Sequence, residues 1–575
     1  MKYFLKKICL KTVLALMAFF HFEAIGLENK TKYSPENFTN YLSGVMSLNI
    51  KNNEEALKYF REINFKNFNH NNFNLEFIRT LVLLEKFDEA IAFSKNAWNK
   101  EDAIFEADLL LGLNYFVKKD YIKAEQHFKR LNKVSKYNIF FDNFIGNMLM
   151  AWTEAAKKNE YKAFSLLQQI PKKYSNLKQV QNIFLHCHFN SSETQKKYNH
   201  LINNKEHDFS RYNFFLANYL LSINKVDEAK KIIFVSAKKH DSNLLLKQTR
   251  DFLTNNNISK TQNVFDCKNP KDALAEFFYI IANLYASEEY YKLSNFYLKI
   301  SLYINKKFKQ NKALLAENYF YQEKHEASKK VYGTVAKVGD VYFWHSAKNI
   351  SAIYSHLDNK KESVSSLKKA FSLLKNPDYR QYYEMANFYK DNKYYEESIK
   401  FYSLSMKALE KIEKNHSLIP KILEKRGSSY ERIGEWEKAE RDLKMSLTIL
   451  PDQAYVLNYL AYSWIEKKIN IDEALKMLIK ASELRKNDAY IIDSLGWAYY
   501  ALKDYHKAKK YLQRAVELMP FDPVVNDHYG DALWMTNKNI QARYFWKHSL
   551  SLEGAEDKLK NDVRQKLIEG ILKKS

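Results

Sequence analysis

Two short stretches of the sequence combine residue types that bind metals or move protons. His186, Cys187 and His188 are adjacent, and imidazole and thiolate are both zinc ligands. In a helix, successive side chains are turned by about 100°, so the two histidines point about 200° apart and cannot hold one ion together. A strand would bring them to one face, but the surrounding sequence has a helical pattern. A metal site is therefore disfavoured here.

The second stretch places Asp527, His528 and Asp531 within little more than one helical turn. Two carboxylates and an imidazole could hold a metal ion or relay a proton. The polar face of a helix that lines a solvated groove explains them as well. The sequence contains no glycine-rich phosphate loop and no G-x-S-x-G or H-E-x-x-H motif. These observations disfavour an enzyme, and we expect no cofactor, no metal and no small-molecule substrate.

The composition favours an all-helical chain with a large core. The 575 residues include only 12 glycines and 8 prolines, less than a third of average usage. Hydrophobic residues make up 46% of the chain, enough to bury a sizeable core. The formal net charge is +24, but the lysines are scattered and no run of five basic residues occurs. Nucleic acid is therefore a disfavoured partner, because binding to phosphate backbones favours clustered basic residues.

Residues 1–26 have the pattern of a secretory signal. Four lysines occur within the first eleven residues, an apolar stretch from Val13 to Phe20 follows, and Ala24 and Gly26 are small residues at a possible cleavage site. The stretch is too short to span a membrane comfortably, which takes about 20 apolar residues. An uncleaved anchor is the alternative, and membrane association is expected only through this segment. We therefore expect an exported bacterial protein, periplasmic or associated with the envelope.

Only Cys187 and Cys267 remain once this segment is removed. An oxidising compartment allows a disulfide, but two cysteines 80 positions apart do not make a disulfide framework. We expect two separate buried thiols.

A repeat of 34 or 35 residues runs through the C-terminal part of the chain. Small residues recur at Gly427, Ala461, Gly496 and Gly530. Each of these small residues is followed by a large side chain three positions later and by an alanine twelve or thirteen positions later. A large residue lies four positions after that alanine, and a small residue lies three positions after the large one. In the order of the four copies, the last three of these positions are Ala439, Leu443 and Ser446; Ala474, Leu478 and Ala481; Ala508, Leu512 and Ala515; Ala542, Trp546 and Ser549.

This spacing predicts pairs of closely packed antiparallel helices. A small residue where two helices cross lets their backbones approach, and the large residues at helical spacing fill the stripe that faces inward. Pro451 and Pro520 end helices because proline cannot continue one. A single pair leaves an apolar face exposed, so the copies must stack.

The pattern resembles the tetratricopeptide repeat family, whose 34-residue repeat reads W-x2-L-G-x2-Y…A-x3-F…P. Four consecutive copies between Pro420 and Glu553 keep phase, and degraded copies extend the count to about twelve units over nearly the whole chain. The resemblance implies an all-α, right-handed α-solenoid of stacked antiparallel helix pairs. The expected organisation is a signal peptide over 1–26, a degenerate N-terminal array over 35–253, a junction loop over 254–271, a degenerate central array over 272–412, four clear repeats over 420–556 and a capping helix over 557–575.

In this family the first helix of each pair lines a concave groove that holds a peptide or helix of a partner protein. The lysine and asparagine that grip a partner's terminal carboxylate in some members are not reproduced, because Glu424 and Ser428 occupy those positions. Some of the groove aromatics could instead pack between adjacent pairs. Carried onto the matching positions, the groove residues are Tyr455, Asn458, Tyr459, Tyr462, Tyr490, Asp493, Ser494, Trp497, Tyr500, Asp527, His528, Asp531 and Trp534.

The resemblance implies a non-enzymatic protein–protein interaction scaffold, which the N-terminal segment would place in the bacterial cell envelope. One alternative is a regulatory or adaptor subunit of a separate envelope enzyme or assembly machine. A third, less favoured hypothesis is a basic protein that binds nucleic acid or an anionic surface.

Overall fold

The computed structural model describes residues 34–64, 71–98, 104–134, 144–412 and 416–571. Within these ranges the chain forms 31 α-helices and a few short 3₁₀ turns, and no strand. The prediction of an all-α chain is confirmed. The signal peptide predicted over 1–26 lies outside the described residues. None of the described helices combines the length and the apolar character needed to cross a membrane.

The chain divides into two compact units, Met1–Phe371 and Ser372–Ser575. The first unit contains twenty helices, the last of which ends at Ser372. They are α1 Pro35–Asn49, α2 Asn53–Arg61, α3 Asn71–Leu83, α4 Phe87–Ala97, α5 Phe105–Val117, α6 Tyr121–Val134, α7 Phe144–Ala156, α8 Glu160–Gln168, α9 Ser175–His188, α10 Thr194–Ile202, α11 Tyr212–Ser222, α12 Val226–Lys239, α13 Leu244–Thr254, α14 Ile258–Gln262, α15 Pro270–Ser287, α16 Tyr291–Ile304, α17 Lys312–Tyr321, α18 His325–Val335, α19 Asp340–His356 and α20 Lys360–Ser372.

The second unit contains five further helix pairs and one closing helix. They are α21 Tyr379–Asp391, α22 Tyr395–Glu410, α23 Ile419–Arg432, α24 Trp436–Ile449, α25 Ala454–Lys467, α26 Ile471–Leu484, α27 Ala489–Ala501, α28 Tyr505–Leu518, α29 Pro523–Met535, α30 Asn539–Ser551 and α31 Asp557–Glu569. The closing helix α31 packs against α30 through the fully buried Val563, with Leu559, Leu567 and Ile571 beside it.

The described helices form fifteen pairs, because the same turn recurs after every first helix. Each turn has a residue in the left-handed conformation, such as Lys119, Lys503 or Gly434. The residue after it donates its N–H to the carbonyl five positions back, which satisfies a carbonyl that the helix end would leave unpaired. Fifteen of the sixteen left-handed turn residues are Lys, Glu, Asn or Asp rather than glycine, since the turn after α25 has two of them, Lys468 and Asn470. The sequence pattern, which gave about twelve units, does not detect such turns.

The prediction that small residues allow close approach of paired helices is confirmed. A Cβ atom added to Gly496 would lie 2.6 Å from Leu512 Cγ, and one added to Gly530 would lie 2.5 Å from Trp546 Cδ1. The recurring alanine of each second helix is completely buried in all four C-terminal copies, as are the large and small residues that follow it. At Gly496 and Gly530 the paired helices therefore leave no room for an additional methyl group.

In the first unit the array folds back on itself. Helix α3 contacts α16, and α7 contacts α15, although more than 110 residues separate the members of each pair. The Phe87 and Tyr303 rings stack with centroids 4.1 Å apart, and Lys292 Nζ lies 2.9 Å from Glu76 Oε2. One continuous core runs from Leu57 to Leu315. The inner surface of this unit is thus filled by its own side chains.

The expectation of two separate thiols was wrong, because Cys187 and Cys267 form a disulfide. Their Cα atoms are 5.9 Å apart, within the usual range for a disulfide, and both side chains are buried. The fold brings them together because α9, which contains Cys187, contacts α15, which begins three residues after Cys267. The separation of 80 residues in the sequence does not predict this contact, because the contact forms only when the array folds back on itself.

The polar stretch predicted as a junction loop, 254–271, lies inside the first unit and contains the short helix α14. Phe265 and Cys267 are buried in the core on either side of exposed polar residues, so the stretch is anchored. The break between compact units falls at Phe371 and Ser372 instead.

Candidate partner-binding groove

All thirteen predicted groove residues lie on the first helices of three successive pairs. These helices, α25, α27 and α29, contact one another in order: α25 packs against α27, and α27 packs against α29. Equivalent positions on neighbouring first helices are 34 or 35 residues apart, so side chains one repeat apart can touch. The contacts below show which residues face solvent and which are held by neighbours.

Two tyrosines are the most exposed of the predicted set. Tyr455 and Tyr490, in the first turns of α25 and α27, are 53% and 59% exposed. The Tyr455 hydroxyl donates to Asp488 Oδ2 at 2.9 Å, which links one repeat to the next. Both rings present a large apolar area with a polar tip, the type of side chain that often dominates binding at interfaces.

An aromatic stack connects α27 to α29. Trp497 lies parallel to Tyr500, with ring centroids 4.7 Å apart, and parallel to His528 at 4.0 Å. Trp497 Nε1 donates to Glu466 Oε1 of α25 at 2.7 Å. Burial raises the pKa of Tyr500 above the usual range of a phenol, so its hydroxyl stays protonated. The stack is ordered before any partner arrives.

Further tyrosines of α25 are half-buried between repeats. The Tyr459 hydroxyl donates to Glu431 Oε2 of α23 at 2.9 Å, and burial raises the pKa of Tyr459 and of Tyr462. Asn458 is half-buried, and its Oδ1 has no hydrogen-bond partner among the described residues. Ser494 is buried and donates to the carbonyl of Tyr490 at 2.9 Å. This part of the predicted set includes both packing residues and accessible ones.

A buried charge network occupies the end of the predicted groove. His528 Nδ1 lies 3.0 Å from Asp493 Oδ2, one repeat away. Burial alone would lower the pKa of His528, but the carboxylates of Asp493, Asp527 and Asp531 outweigh it and raise that pKa above its usual value. Burial, together with the nearby charge of Asp527, raises the pKa of Asp531 to about 6.

The closing helix α31 covers the groove face of α29. Lys566 Nζ lies 2.8 Å from Asp527 Oδ2 and 2.8 Å from Asp531 Oδ2, and Trp534 Nε1 donates to the Ile571 carbonyl at 3.0 Å. Asp527, Asp531 and Trp534 therefore contact the chain's own C-terminal segment. Within the described ranges, no three His, Cys, Asp or Glu side chains are grouped to hold a metal ion.

The structure adds residues that the sequence pattern did not indicate. Glu431, Glu466 and Asp488 accept hydrogen bonds from the groove tyrosines and tryptophan, and Lys566 binds the acidic pair of α29. The repeat spacing in the sequence could have predicted the contact of His528 with Asp493, since both are predicted groove positions one repeat apart. No feature of the sequence indicated the contacts of Lys566, because they depend on how α31 packs against α29.

Residues 489–522, which span α27 and α28, match the family model described as tetratricopeptide repeat. The chain therefore contains a tetratricopeptide repeat. A TPR repeat-containing protein of Pseudomonas aeruginosa is 31% identical over 110 residues, which are 19% of this chain and 18% of that relative. The chain thus matches less than a fifth of the length of that curated relative.

Solved structures with partial similarity include other proteins of this kind. A tetratricopeptide repeat protein from Parabacteroides merdae is 18% identical, with 39% of this chain and 87% of that chain covered and a TM-score of 0.33. MamA from Desulfovibrio magneticus is 20% identical, with 32% and 99% covered and a TM-score of 0.27. At these values neither similarity carries an argument about function.

The His528–Asp493 contact predicts pH-dependent stability of the last repeats. A raised pKa means that the folded state binds more protons than the unfolded state, so this stabilisation is complete below about pH 6.5 and is lost as the pH rises through the folded-state value. Amide hydrogen exchange in α27 and α29, corrected for its intrinsic pH dependence, should therefore show falling protection between pH 6 and pH 9. His528→Gln should flatten this profile.

His506→Gln is the matched control, because His506 is an exposed histidine at the start of α28. The control should keep the wild-type profile. Protection that rises with pH in the wild type, or an unchanged slope in His528→Gln, would contradict the assigned contact.

Proposed function

We propose that this protein is a non-enzymatic scaffold that binds a peptide or helix of a partner protein along α25, α27 and the adjoining part of α29. Tetratricopeptide repeat proteins generally act as protein–protein interaction scaffolds. The observation that carries the proposal for this chain is the row of accessible and preordered aromatic side chains formed by Tyr455, Tyr490 and the Trp497 stack. Ordered aromatic groups bind with little further loss of side-chain entropy.

The contrast between the two units supports this location. In the first unit, inner-face residues such as Glu106, Asn147 and Glu276 are buried by the unit's own helices. In the second unit, α25 and α27 leave Tyr455 and Tyr490 more than half exposed. Helices α25 and α27 therefore offer aromatic side chains to another molecule.

The charges around the aromatic row indicate the chemistry of the partner. Glu431 and Glu466 accept hydrogen bonds from Tyr459 and Trp497, and Asp488 accepts one from Tyr455. Carboxylates beside aromatic faces favour a segment that combines apolar side chains with lysine or arginine. We therefore expect a basic amphipathic segment in the groove, although the whole chain is itself basic.

The binding test uses photo-crosslinking at single positions in cells of the source organism. A photoreactive amino acid at position 490 should crosslink a partner protein, because Tyr490 is exposed on the groove face. The same amino acid at position 544 is the control, since Tyr544 is 67% exposed on the second helix α30.

Substitution then measures the contribution of the row to affinity. Tyr455→Ala with Tyr490→Ala should weaken binding of the crosslinked partner at least about tenfold, since truncated interface hot spots commonly cost about 2 kcal/mol or more. Tyr544→Ala should leave affinity unchanged. Equal crosslinking at positions 490 and 544, or unchanged affinity in the double variant, would contradict the groove assignment.

We propose further that the protein is exported and acts in the bacterial envelope. The lysine-rich start, apolar stretch and small residues of 1–26 support this proposal. The Cys187–Cys267 disulfide agrees with it, because disulfides persist in oxidising compartments and are rare in the reducing cytosol.

Export predicts a shortened mature chain with an oxidised cysteine pair. The mature protein should begin at Leu27 in the periplasmic fraction, and Cys187 and Cys267 should resist alkylation until a reductant is added. N-terminal sequencing and mass spectrometry of the alkylated protein measure both properties. A protein that starts at Met1, stays in the cytosol and has both thiols alkylated without reductant would refute the proposal.

A further inference from the structure

A cavity in the first unit, separate from the groove, is lined by four lysines. It has a volume of about 370 Å³ and lies between α13 and α14, the connection from α16 to α17 and the turn before α19. None of the described residues that line it is an aspartate or glutamate. The four lysines come from three separate parts of the chain: Lys260, Lys307, Lys309 and Lys337.

Some lysines of the same unit have carboxylate partners. Lys292 pairs with Glu76 at 2.9 Å, for example, and Lys329 pairs with Glu326 at 2.7 Å. In the described part of the chain, none of the four cavity lysines has a carboxylate oxygen within 4.0 Å of its Nζ. Ammonium groups gathered around one cavity repel each other, and an anion bound between them would remove that repulsion.

Asp272 does not supply this anion. Asp272 is close enough to Lys307 to feel its charge, yet its carboxylate is buried and already accepts hydrogen bonds. Its Oδ2 accepts from the Asp266 backbone N–H at 2.9 Å, and its Oδ1 accepts from Asn269 Nδ2 at 3.0 Å. The negative charge of Asp272 is therefore turned toward the loop that precedes α15.

A buried amide forms part of the cavity wall. Gln310 lines the cavity and is only 7% exposed, and its Oε1 has no hydrogen-bond partner among the described residues. A buried polar atom without a partner is unfavourable, so such atoms are rare unless a ligand or water pairs with them. An amide can accept from a hydroxyl through its oxygen, or donate to an anion through its nitrogen.

The wall around Gln310 is held in place. The Lys309 N–H donates to the Lys307 carbonyl at 2.9 Å, and the Asn311 N–H donates to the Phe308 carbonyl at 3.2 Å. Asn311 Oδ1 accepts from the buried Arg211 at 2.9 Å, which ties this turn to the core of the unit. On the opposite wall, Lys260 Nζ lies 5.3 Å from the centre of the Phe252 ring. These contacts hold the turn between α16 and α17 in place, and the four lysines of the cavity are exposed.

We propose that this cavity binds a ligand bearing a phosphate group with at least two negative charges. Its oxygens would lie among the ammonium groups of the four lysines, and the Gln310 amide would pair with a ligand oxygen or hydroxyl. A cavity of about 370 Å³ is at the lower end of the usual range for small-molecule sites, which fits a phosphate with a small attached group. The phosphate belongs either to a soluble molecule or to the headgroup of an anionic lipid.

Calorimetry on the full mature chain, in buffer of physiological ionic strength, tests the site with inorganic pyrophosphate. We expect saturable binding with one site per chain. Lys307→Gln with Lys309→Gln should weaken binding at least tenfold, and Gln310→Met should weaken it measurably without any change in charge. Lys238→Gln with Lys239→Gln is the matched control, since it removes the same charge from exposed positions of α12 outside the cavity.

Vesicle flotation distinguishes the two sources of phosphate. Vesicles of phosphatidylcholine with one-tenth phosphatidic acid are compared with pure phosphatidylcholine, with the same variants and with circular dichroism to confirm folding. Pyrophosphate binding without flotation supports a soluble ligand, and flotation that depends on Lys307 and Lys309 supports a lipid headgroup. Absence of both, or equal weakening by the cavity and the control variants, would overturn the proposal.

Discussion

The structure depends on the close approach of paired helices at positions where a side chain is small or absent. Gly496 leaves no room for a methyl group against Leu512, and Gly530 leaves none against Trp546. The stripe of large side chains on each pair cannot be covered by that pair alone, so each pair must pack on the next. This stacking is what brings α25, α27 and α29 into contact and places groove positions side by side.

The helix pairs have the same architecture in both units, but they pack differently in each. In the first, contacts between helices distant in sequence and the Cys187–Cys267 disulfide bury the inner surface, including polar side chains such as Glu276 that need their own partners. In the second, each core cluster joins only neighbouring pairs, and the first helices keep aromatic side chains accessible. This difference supports the proposal that a partner binds to the second unit.

The spacing of residues in the sequence predicted those features of the fold that depend on neighbouring residues. The positions of Gly427, Gly496 and Gly530 gave the crossing points, and the predicted groove residues lie on first helices because 34 residues return to the same face. The number of pairs was underestimated, because turn residues such as Lys119 adopt a left-handed conformation that the family pattern does not encode. The disulfide and the Lys566 contacts depend on tertiary docking, which no periodicity in the sequence reports.

Hydrogen exchange measured by mass spectrometry on Gly496→Ala and Gly333→Ala tests the central role of these crossing points. Gly333 lies in helix α18 with no atom within 4 Å of an added Cβ, so Gly333→Ala should keep or increase protection, by up to about 1 kcal/mol from helix propensity. Gly496→Ala should instead reduce the protection of α27 and α28 by about 1–3 kcal/mol, because the new methyl group overlaps Leu512. Unchanged or increased protection of α27 and α28 in Gly496→Ala would contradict this account of the fold.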